Sequence, residues 1–386
     1  MLRAVLLSVA VLCFCVPLVQ AQTVWHVDDD APPGGDGTSW PTAYRYLQDA
    51  LAVAVAGDEV HVAGGTYTPD RDEAGNVTPG DREATFQLIN GVAILGGYAG
   101  LADLDAPNHR DISMYETVLS GDLDENDPSV ETDCCNEHGD PGCDNAECQA
   151  DVCASYPECC DDPWTALCAF YAENLCATLC GTSWSDNSYH VVTGSGTDET
   201  AILDRCTITA GNADGSEQLE HGGGMYNDAG SPMVTNCMFS GNSATENGGG
   251  MYNYNYSSPT LTNCTFSGNS ATENGGGMHN YSSSPTLTNC TFSGNSANCS
   301  GGMHNYYYSS PTLTNCMFSG NSANNSGGMH NYYYSSPTLT NCMFSGNSAN
   351  YSSGGMGNYD YSSPTLTDCV FSANSANYGG GMHNSS

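Results

Sequence analysis

The 386-residue sequence contains no lysine, and its six basic residues are all arginines. Its 43 aspartates and glutamates give a formal net charge of −37 at pH 7. A surface this acidic repels nucleic acid, anionic lipid and polyanionic sugars, and it attracts cations. Nucleic acid is therefore excluded as a partner.

Long hydrophobic runs are also scarce, and the one that occurs lies at the N-terminus. Arg3 precedes an apolar run from Ala4 to Val19, and Ala21 supplies a small residue at a cleavage position. The run is too short for a membrane-spanning helix and is typical of a secretory signal peptide. Residues 1–21 are predicted to be a signal peptide, and the mature chain is predicted to be secreted or displayed at the cell surface without a transmembrane segment.

Charge of either sign becomes rare toward the C-terminus. From Gly222 onward there are five acidic residues and no base, among many Ser, Asn, Gly, Thr and Tyr residues. This composition is typical of disordered chains, but a strict apolar repeat argues for a fold. The repeated phenylalanines are 26 or 27 residues apart: Phe239, Phe266, Phe292, Phe318, Phe344 and Phe371. A cysteine and a methionine accompany each one at nearly the same spacing.

A repeat of this length indicates a solenoid or a propeller. Gly, Pro, Asn and Ser interrupt every unit and exclude helical repeats, and a propeller blade needs about 40 residues. One coil of a parallel β-helix fits, with Leu261, Cys264, Phe266 and Met278 pointing inward and Asn263 at a corner. Identical residues of successive coils then stack about 4.8 Å apart.

Stacking of identical coils predicts a column of asparagines that pass side-chain hydrogen bonds from coil to coil. Its members are Asn242, Asn269, Asn295, Asn321, Asn347 and Asn374. The repeat cysteines are predicted to form a buried column as well. Free thiols that fill apolar space are favoured over disulfides, because parallel side chains in register rarely have the torsion that a disulfide needs.

Residues 187–386 are predicted to hold the repeat coils. From Gly223 onward the motifs Phe-Ser-Gly-Asn and Gly-Gly-Met alternate in them. They resemble the FxxN and GGA[ILV] repeats of the polymorphic outer membrane proteins and, more broadly, the right-handed parallel β-helix (pectin-lyase-like) family. The pattern departs from those repeats where Met replaces their branched residue. The resemblance implies an all-β, right-handed parallel β-helix solenoid. The family includes pectate lyases and polygalacturonases, so it also raises the question of enzymatic activity.

Residues 22–131 are predicted to hold an N-terminal cap and the first coils. A helix from about Pro41 to Ala56 places Tyr44, Leu47, Leu51 and Val55 on one face, with proline near its start. This helix is predicted to cover the open first coil.

Residues 132–186 are predicted to be a disulfide-rich insertion, since an exported module too small for a core needs covalent links. Its ten cysteines are Cys134, Cys135, Cys143, Cys148, Cys153, Cys159, Cys160, Cys168, Cys176 and Cys180. The spacing of the third to fifth of these also allows a zinc site, which an oxidising compartment disfavours. Their pairing cannot be read from the sequence.

Candidate catalytic and metal-binding residues are few. Asp204 beside Arg205 is the best acid–base candidate, although such a pair is more often a surface ion pair. Asp122, Asp124 and Asn126 resemble the start of a calcium loop, yet positions six and twelve do not fit it, so a solvated acidic loop is the alternative. Residues 28–30, three consecutive aspartates, with Asp36 form a similar candidate. No cofactor is predicted other than Ca²⁺ at these positions.

The outward positions of the repeat offer candidate binding residues. The tyrosines after each Met-x-Asn step suit sugar rings or protein partners: Tyr254, Tyr281, Tyr306, Tyr332 and Tyr359. The histidines after three of the methionines are predicted to form an outward column: His279, His304 and His330. Stacked tyrosines that only stabilise a loop, and an exposed polar histidine ladder without a metal, are the alternatives.

The predicted function is a non-enzymatic structural or adhesive rod that binds a polysaccharide or a surface protein. The repeat face lacks the paired carboxylates of a hydrolase and, after Arg205, the basic residue of a lyase. The alternative is a polysaccharide lyase or glycoside hydrolase of the pectin-lyase-like fold.

Overall fold

The computed structural model describes residues 22–124 and 183–385, with Val152 between them. These residues form an all-β solenoid in which four parallel sheets run along its length. Within the described ranges no helix is long and apolar enough to cross a membrane. The ten cysteines of the predicted insertion, and Asn126 of the predicted calcium loop, lie outside the described residues.

The first sheet has ten strands, and from Thr260 onward each strand reads Thr-Leu-Thr. The leucine points into the core, where Leu261 and Leu287 are fully buried, and the threonines point outward. Its strands are Val24–Val27, Glu59–Ala63, Ala93–Tyr98, Ile202–Asp204, Met233–Thr235, Thr260–Thr262, Thr286–Thr288, Thr312–Thr314, Thr338–Thr340 and Thr365–Thr367.

The second sheet has nine strands, with phenylalanine at the centre of each repeat strand. From Phe239 to Phe371 neighbouring rings stack at 4.7–4.8 Å and within 3–5° of parallel. Its strands are Gly65–Tyr67, Thr117–Ser120, Thr207–Thr209, Met238–Ser240, Thr265–Ser267, Thr291–Ser293, Met317–Ser319, Met343–Ser345 and Val370–Ser372.

The third sheet also has nine strands and carries the face on which the candidate site lies. Methionine and asparagine alternate inward, so the residue between them points out of the core. Its strands are Phe86–Gln87, Val192–Thr193, Met225–Asp228, Met251–Tyr254, Met278–Tyr281, Met303–Tyr306, Met329–Tyr332, Met356–Asn358 and Met382–Asn384. A fourth, short sheet comprises Asn212–Ala213, Ser243–Ala244, Ser270–Ala271, Ser296–Ala297, Ser322–Ala323 and Ser348–Ala349.

The predicted asparagine column is confirmed and fully buried over most of its length. Asn295 shows the pattern: its Nδ2 donates to Asn321 Oδ1 and to the carbonyl of Phe266, each at 2.9 Å. Its Oδ1 accepts from the backbone N–H and the Nδ2 of Asn269 at 3.0 Å. Because every side-chain polar atom of Asn295 has a partner, the hydrogen bonds of this buried column offset the cost of removing the amides from water.

Two further asparagine columns hold the corners and the third sheet. Asn263 has a φ of 56°, which confirms the left-handed corner predicted for it, and its Nδ2 donates to Asn236 Oδ1 at 3.0 Å. In the third sheet Asn280 Nδ2 donates to Asn305 Oδ1 at 2.9 Å, as its counterparts do from Asn227 onward. The Met-x-Asn spacing is the sequence signal for this last column.

The repeat cysteines are free and line the core, as predicted. Cys264, Cys290 and Cys316 are buried, and each Sγ donates to the carbonyl two residues earlier at 3.4–3.5 Å. Burial raises the pKa of the Cys237 thiol well above its ordinary value. These thiols therefore act as small apolar core residues.

The helix predicted from about Pro41 to Ala56 is shorter in the structure. A 3₁₀ turn covers Trp40–Thr42, and the α-helix is confined to Leu47–Val53. Tyr44 instead extends and pairs with Val27, and Val55 is 43% exposed. The helix packs Leu47 and its neighbours against the core, while its role as a cap stays a prediction. Other 3₁₀ turns are Gly100–Ala102, Ser183–Ser185 and Glu217–Glu220.

Candidate functional site

A groove of about 660 Å³ runs along the outer face of the third sheet. Its floor is a column of four aromatic side chains, which occupy the outward position of successive strands: Tyr252, His279, His304 and His330. Neighbouring rings in this column have centroids 4.8–5.3 Å apart. The column exists because parallel strands in register place identical positions side by side.

One wall of the groove is formed by the tyrosine that ends each strand. Centroids of Tyr281, Tyr306 and Tyr332 follow one another at 5.3 and 5.6 Å. The ring of Tyr254 lies 5.4 Å from that of Tyr281, tilted by 53°, but Tyr254 lies outside the groove. Apart from Tyr254, every tyrosine and histidine that the sequence predicted as a binding residue lines this one site, including Tyr359.

The opposite wall is polar and uncharged along most of its length. Asn274 Nδ2 donates to Asn247 Oδ1 at 2.7 Å, and Asn325 Nδ2 donates to Cys299 Sγ at 3.5 Å. Glu246 is the only carboxylate among the described residues that line the groove. A ligand in the groove would therefore meet rings on two sides and amides on the third.

The histidines form the outward column that the sequence predicted, but they are buried, unlike the exposed ladder that was its alternative. His279, His304 and His330 are only 3%, 5% and 8% exposed, because neighbouring rings and the walls cover them. Desolvation lowers the pKa of His279 to about 3 and that of His330 to about 4. The floor of the groove is therefore neutral at pH 7.

Hydrogen bonding within the histidine column is incomplete. His304 Nδ1 lies 3.2 Å from His279 Nδ1, and His330 Nδ1 lies 3.1 Å from Ser326 Oγ. His279 Nε2 is buried and has no hydrogen-bond partner. Among the described residues these histidines do not bring three ligand atoms within 4.8 Å of one another. This geometry does not favour a transition-metal site on the column.

A second line of tyrosines lies outside the groove on the corner loops. Tyr308, Tyr334 and Tyr361 stack at 5.2 and 5.0 Å, and their φ values are 61°, 58° and 63°. Tyr256 precedes them and is 81% exposed. These tyrosines stack along a turn with left-handed backbone, which fits the loop-stabilising alternative.

The aspartates at residues 28–30 form the one cluster in the described chain whose ligand atoms lie within 4.8 Å of one another. Both oxygens of Asp28 already accept backbone N–H groups, from Asp30 at 3.1 Å and Leu101 at 2.7 Å. Burial raises the pKa of Asp28 and Asp29. Asp36 is engaged elsewhere, with Thr38 and Thr42. Calcium binding here stays a prediction, as it does at Asp122 and Asp124.

Asp204 pairs with Arg110, and its sequence neighbour Arg205 points elsewhere. Arg110 Nη2 lies 2.6 Å from Asp204 Oδ2, while Asp204 Oδ1 accepts from Thr235 and Asn236 at 2.6 and 2.7 Å. Arg205 has a φ of 59° and reaches the carbonyl of Arg110 at 3.4 Å. Asp204 is 8% exposed with both oxygens engaged, so it joins coils and has no oxygen free to act as a base.

Sequence reasoning missed several residues of the site. Tyr252 was overlooked because the three repeats that follow it place histidine at its position, and register alone shows that it continues the floor. Cys299, Asn274 and Asn325 lie in the variable loop between the short sheet and the third sheet, where no periodic signal marks them.

Comparison with known proteins places the chain in a family. A family model described as a right-handed β-helix region matches residues 161–318 and 273–386, which together exceed half of the chain. No curated protein matches. Among solved structures the chain is similar to the crystal structure of pectate lyase Pel9A, with a TM-score of 0.48, 11% identity, and coverage of 93% of this chain and 79% of that one. The family match and the parallel solenoid agree, and the chain belongs to the right-handed β-helix family.

Proposed function

We propose that this protein is an exported, non-enzymatic β-helix rod whose groove binds a neutral carbohydrate chain. The observation that carries the proposal is the groove itself, which is lined over successive coils by a row of tyrosines in ring contact, by neutral histidines and by asparagines.

Aromatic rings and amides are the groups that recognise uncharged sugars. A ring presents apolar area to the C–H face of a sugar, while tyrosine hydroxyls and asparagine amides bond to sugar hydroxyls. Tyr281, Tyr306 and Tyr332 are half-buried, so their rings lose little freedom on binding. Asn247, Asn274 and Asn325 supply the amides on the other side.

Charge favours a neutral chain over a uronic one. From Gly222 onward the sequence has no Lys or Arg, so no arginine clamp is available for a carboxylate in this part. Glu246 lies in the groove, and the net charge of −37 adds repulsion. The depressed histidine pKa values mean that no imidazolium offsets it at pH 7.

The binding test is affinity electrophoresis of the mature chain in gels that contain either neutral polysaccharides or polyuronates. We expect retardation by at least one neutral polysaccharide. Tyr306→Ala should bind it about fivefold more weakly, because it lacks one aromatic ring whose stacking on a sugar is worth on the order of 1 kcal/mol. Tyr256→Ala is the matched control, since that ring is exposed outside the groove. Equal retardation of both variants, or retardation by polyuronates alone, would overturn the proposal.

The same mixtures test the enzymatic alternative. A polysaccharide lyase or glycoside hydrolase would release shortened chains, with or without added Ca²⁺. Binding of a polysaccharide whose chain length stays unchanged supports the non-enzymatic proposal. Retention by a surface protein and by no polysaccharide would replace carbohydrate with protein as the partner class.

A further inference from the structure

The histidine column of the groove is interrupted at one position. Gly357 pairs with His330 in the third sheet, where the three preceding repeats have histidine, and His383 pairs with Gly357 in the next strand. The floor of the groove therefore lacks one side chain between two imidazoles.

The ring of Tyr359 fills that space. Its centroid lies 4.8 Å from the His330 ring, 18° from parallel, and 5.7 Å from the His383 ring. A Cβ on Gly357 would lie 2.8 Å from Tyr359 Cε2, so the ring and a side chain at residue 357 exclude each other. The absent side chain is thus the condition for the inward position of Tyr359.

Tyr359 consequently leaves the wall to which its counterparts belong. Each wall tyrosine contacts the ring of the next up to Tyr332, whereas the ring of Tyr359 stacks on that of His330. The groove ends at the same place, because Tyr359 and Ser352 are its last lining residues along the chain. Tyr378 and His383, one coil further, do not line it.

We propose that Tyr359 is the end wall of the groove and sets the length of carbohydrate chain that it accepts. This inference rests on the proposed function. The floor spans the coils from Tyr252 to His330, three steps of about 4.8 Å, so a ligand lying along the axis is confined to a few sugar rings. A longer chain must leave the groove at Tyr359 and gains no further stacking.

The first experiment tests the wall without a ligand. In Tyr359→Ala the imidazole of His330 becomes accessible, so we expect faster hydrogen–deuterium exchange at its C2 position and a pKa about one unit or more higher, because desolvation is relieved. Tyr378→Ala is the control, since that ring is 77% exposed and lies outside the groove. Unchanged exchange at His330 in Tyr359→Ala would overturn the wall assignment whatever the protein binds.

The second experiment tests the length limit with Gly357→His, which restores the repeat residue. Residue 357 has the strand backbone that His330 has one coil earlier, so the change needs only the displacement of side chains: the hydroxyls of Ser326 and Ser353 and the ring of Tyr359. We expect Tyr359 to move onto Tyr332 and the groove to lengthen by one coil.

Affinities for a series of neutral oligosaccharides of increasing length give the readout. For the wild type they should rise with length and then level off, and the length at which they level off should increase in Gly357→His. An unchanged levelling length with the binding intact would contradict the role in length selection. Absence of binding by the wild type to every oligosaccharide would overturn the proposed function and the length role together, while the His330 exchange would still decide the wall assignment.

Discussion

The coils before residue 125 and the repeat coils after Gly222 have the same architecture but hold it together differently. In the early coils, single charged side chains join distant segments, as Arg110 does through Gly96 and Asp204. In the repeat coils, columns of identical neutral residues join neighbouring coils. Asn295, for example, is hydrogen-bonded to Asn269 in the preceding coil and to Asn321 in the following coil. A coil whose sequence is not repeated needs specific polar pairs of its own. A repeated coil can use one residue type, because that residue hydrogen-bonds to its equivalent in the next coil.

The comparison also explains where the charge lies. A charged residue stacked on its own copy would meet a like charge about 4.8 Å away, which is destabilising. Asparagine carries both a donor and an acceptor, so it can bond to its copy on either side. Repetition therefore favours asparagine, and the almost uncharged composition after Gly222 follows.

The largest expected effect is in the repeat core. Phe292→Ala removes a fully buried ring that stacks on both neighbours, and we expect a loss of about 4 kcal/mol in the free energy of unfolding. Urea denaturation followed by circular dichroism measures it. Thr291→Ala, outward on the same strand, is the control, with an expected change within about 0.5 kcal/mol. Similar losses for both variants would mean that the stacked rings do not carry the stability of the coil.

The second-largest loss in the free energy of unfolding is expected when the buried asparagine column is interrupted. Asn295→Ala leaves the carbonyl of Phe266 and the N–H of Asn269 buried without partners, and we expect a loss of about 3 kcal/mol. Asn350→Ala removes an exposed member of another asparagine pair and should cost less than about 1 kcal/mol. Urea midpoints of the two variants compare them directly. If Asn295→Ala were as stable as Asn350→Ala, the buried column would not be what replaces the ion pairs of the early coils.

In the early coils we expect loss of a specific ion pair to lower the free energy of unfolding, but by less than the two changes in the repeat coils. Arg110→Ala leaves Asp204 without its cation, and we expect a loss of about 2 kcal/mol, because both side chains are mostly but not fully buried. Arg45→Ala removes an exposed arginine for which the described residues supply no ion-pair partner, so its effect should stay below about 1 kcal/mol. Thermal unfolding in low and high salt measures both. Equal midpoints would show that Arg110 does not join the early coils as its contacts suggest.

The smallest effect concerns pH. Burial holds the pKa of His330 at about 4, below the ordinary value of 6.5, so the unfolded chain binds a proton that the folded chain excludes. Stability is therefore full above about pH 6.5 and falls as the pH drops toward 4. Between pH 7 and 6 we expect the wild type to lose about 0.7 kcal/mol more than His330→Gln. Urea midpoints at the two pH values supply the measurement, and parallel pH dependence would mean that His330 titrates normally in the fold.

The extent of sequence-based prediction differs between these two regions. In the repeat coils the inward positions of Leu261, Cys264, Phe266 and Met278 and the corner at Asn263 were predictable, since each has copies at one spacing. In the early coils the helix was predicted too long, because its periodicity continued through Tyr44 and Val55, which the structure places in an extended pairing and in solvent.

The sequence by itself determined the parallel solenoid, its register and the residues that fill its core. This is because a coil in a solenoid contacts mainly its own copies, and the repeat spacing identifies which residues are in contact. Only the tertiary structure decided that the histidines are buried and neutral, that Asp204 pairs with Arg110, and that Tyr359 closes the groove. Each of these depends on which side chains meet across coils, and where a residue has no copy, as at Gly357, no period indicates what fills the space.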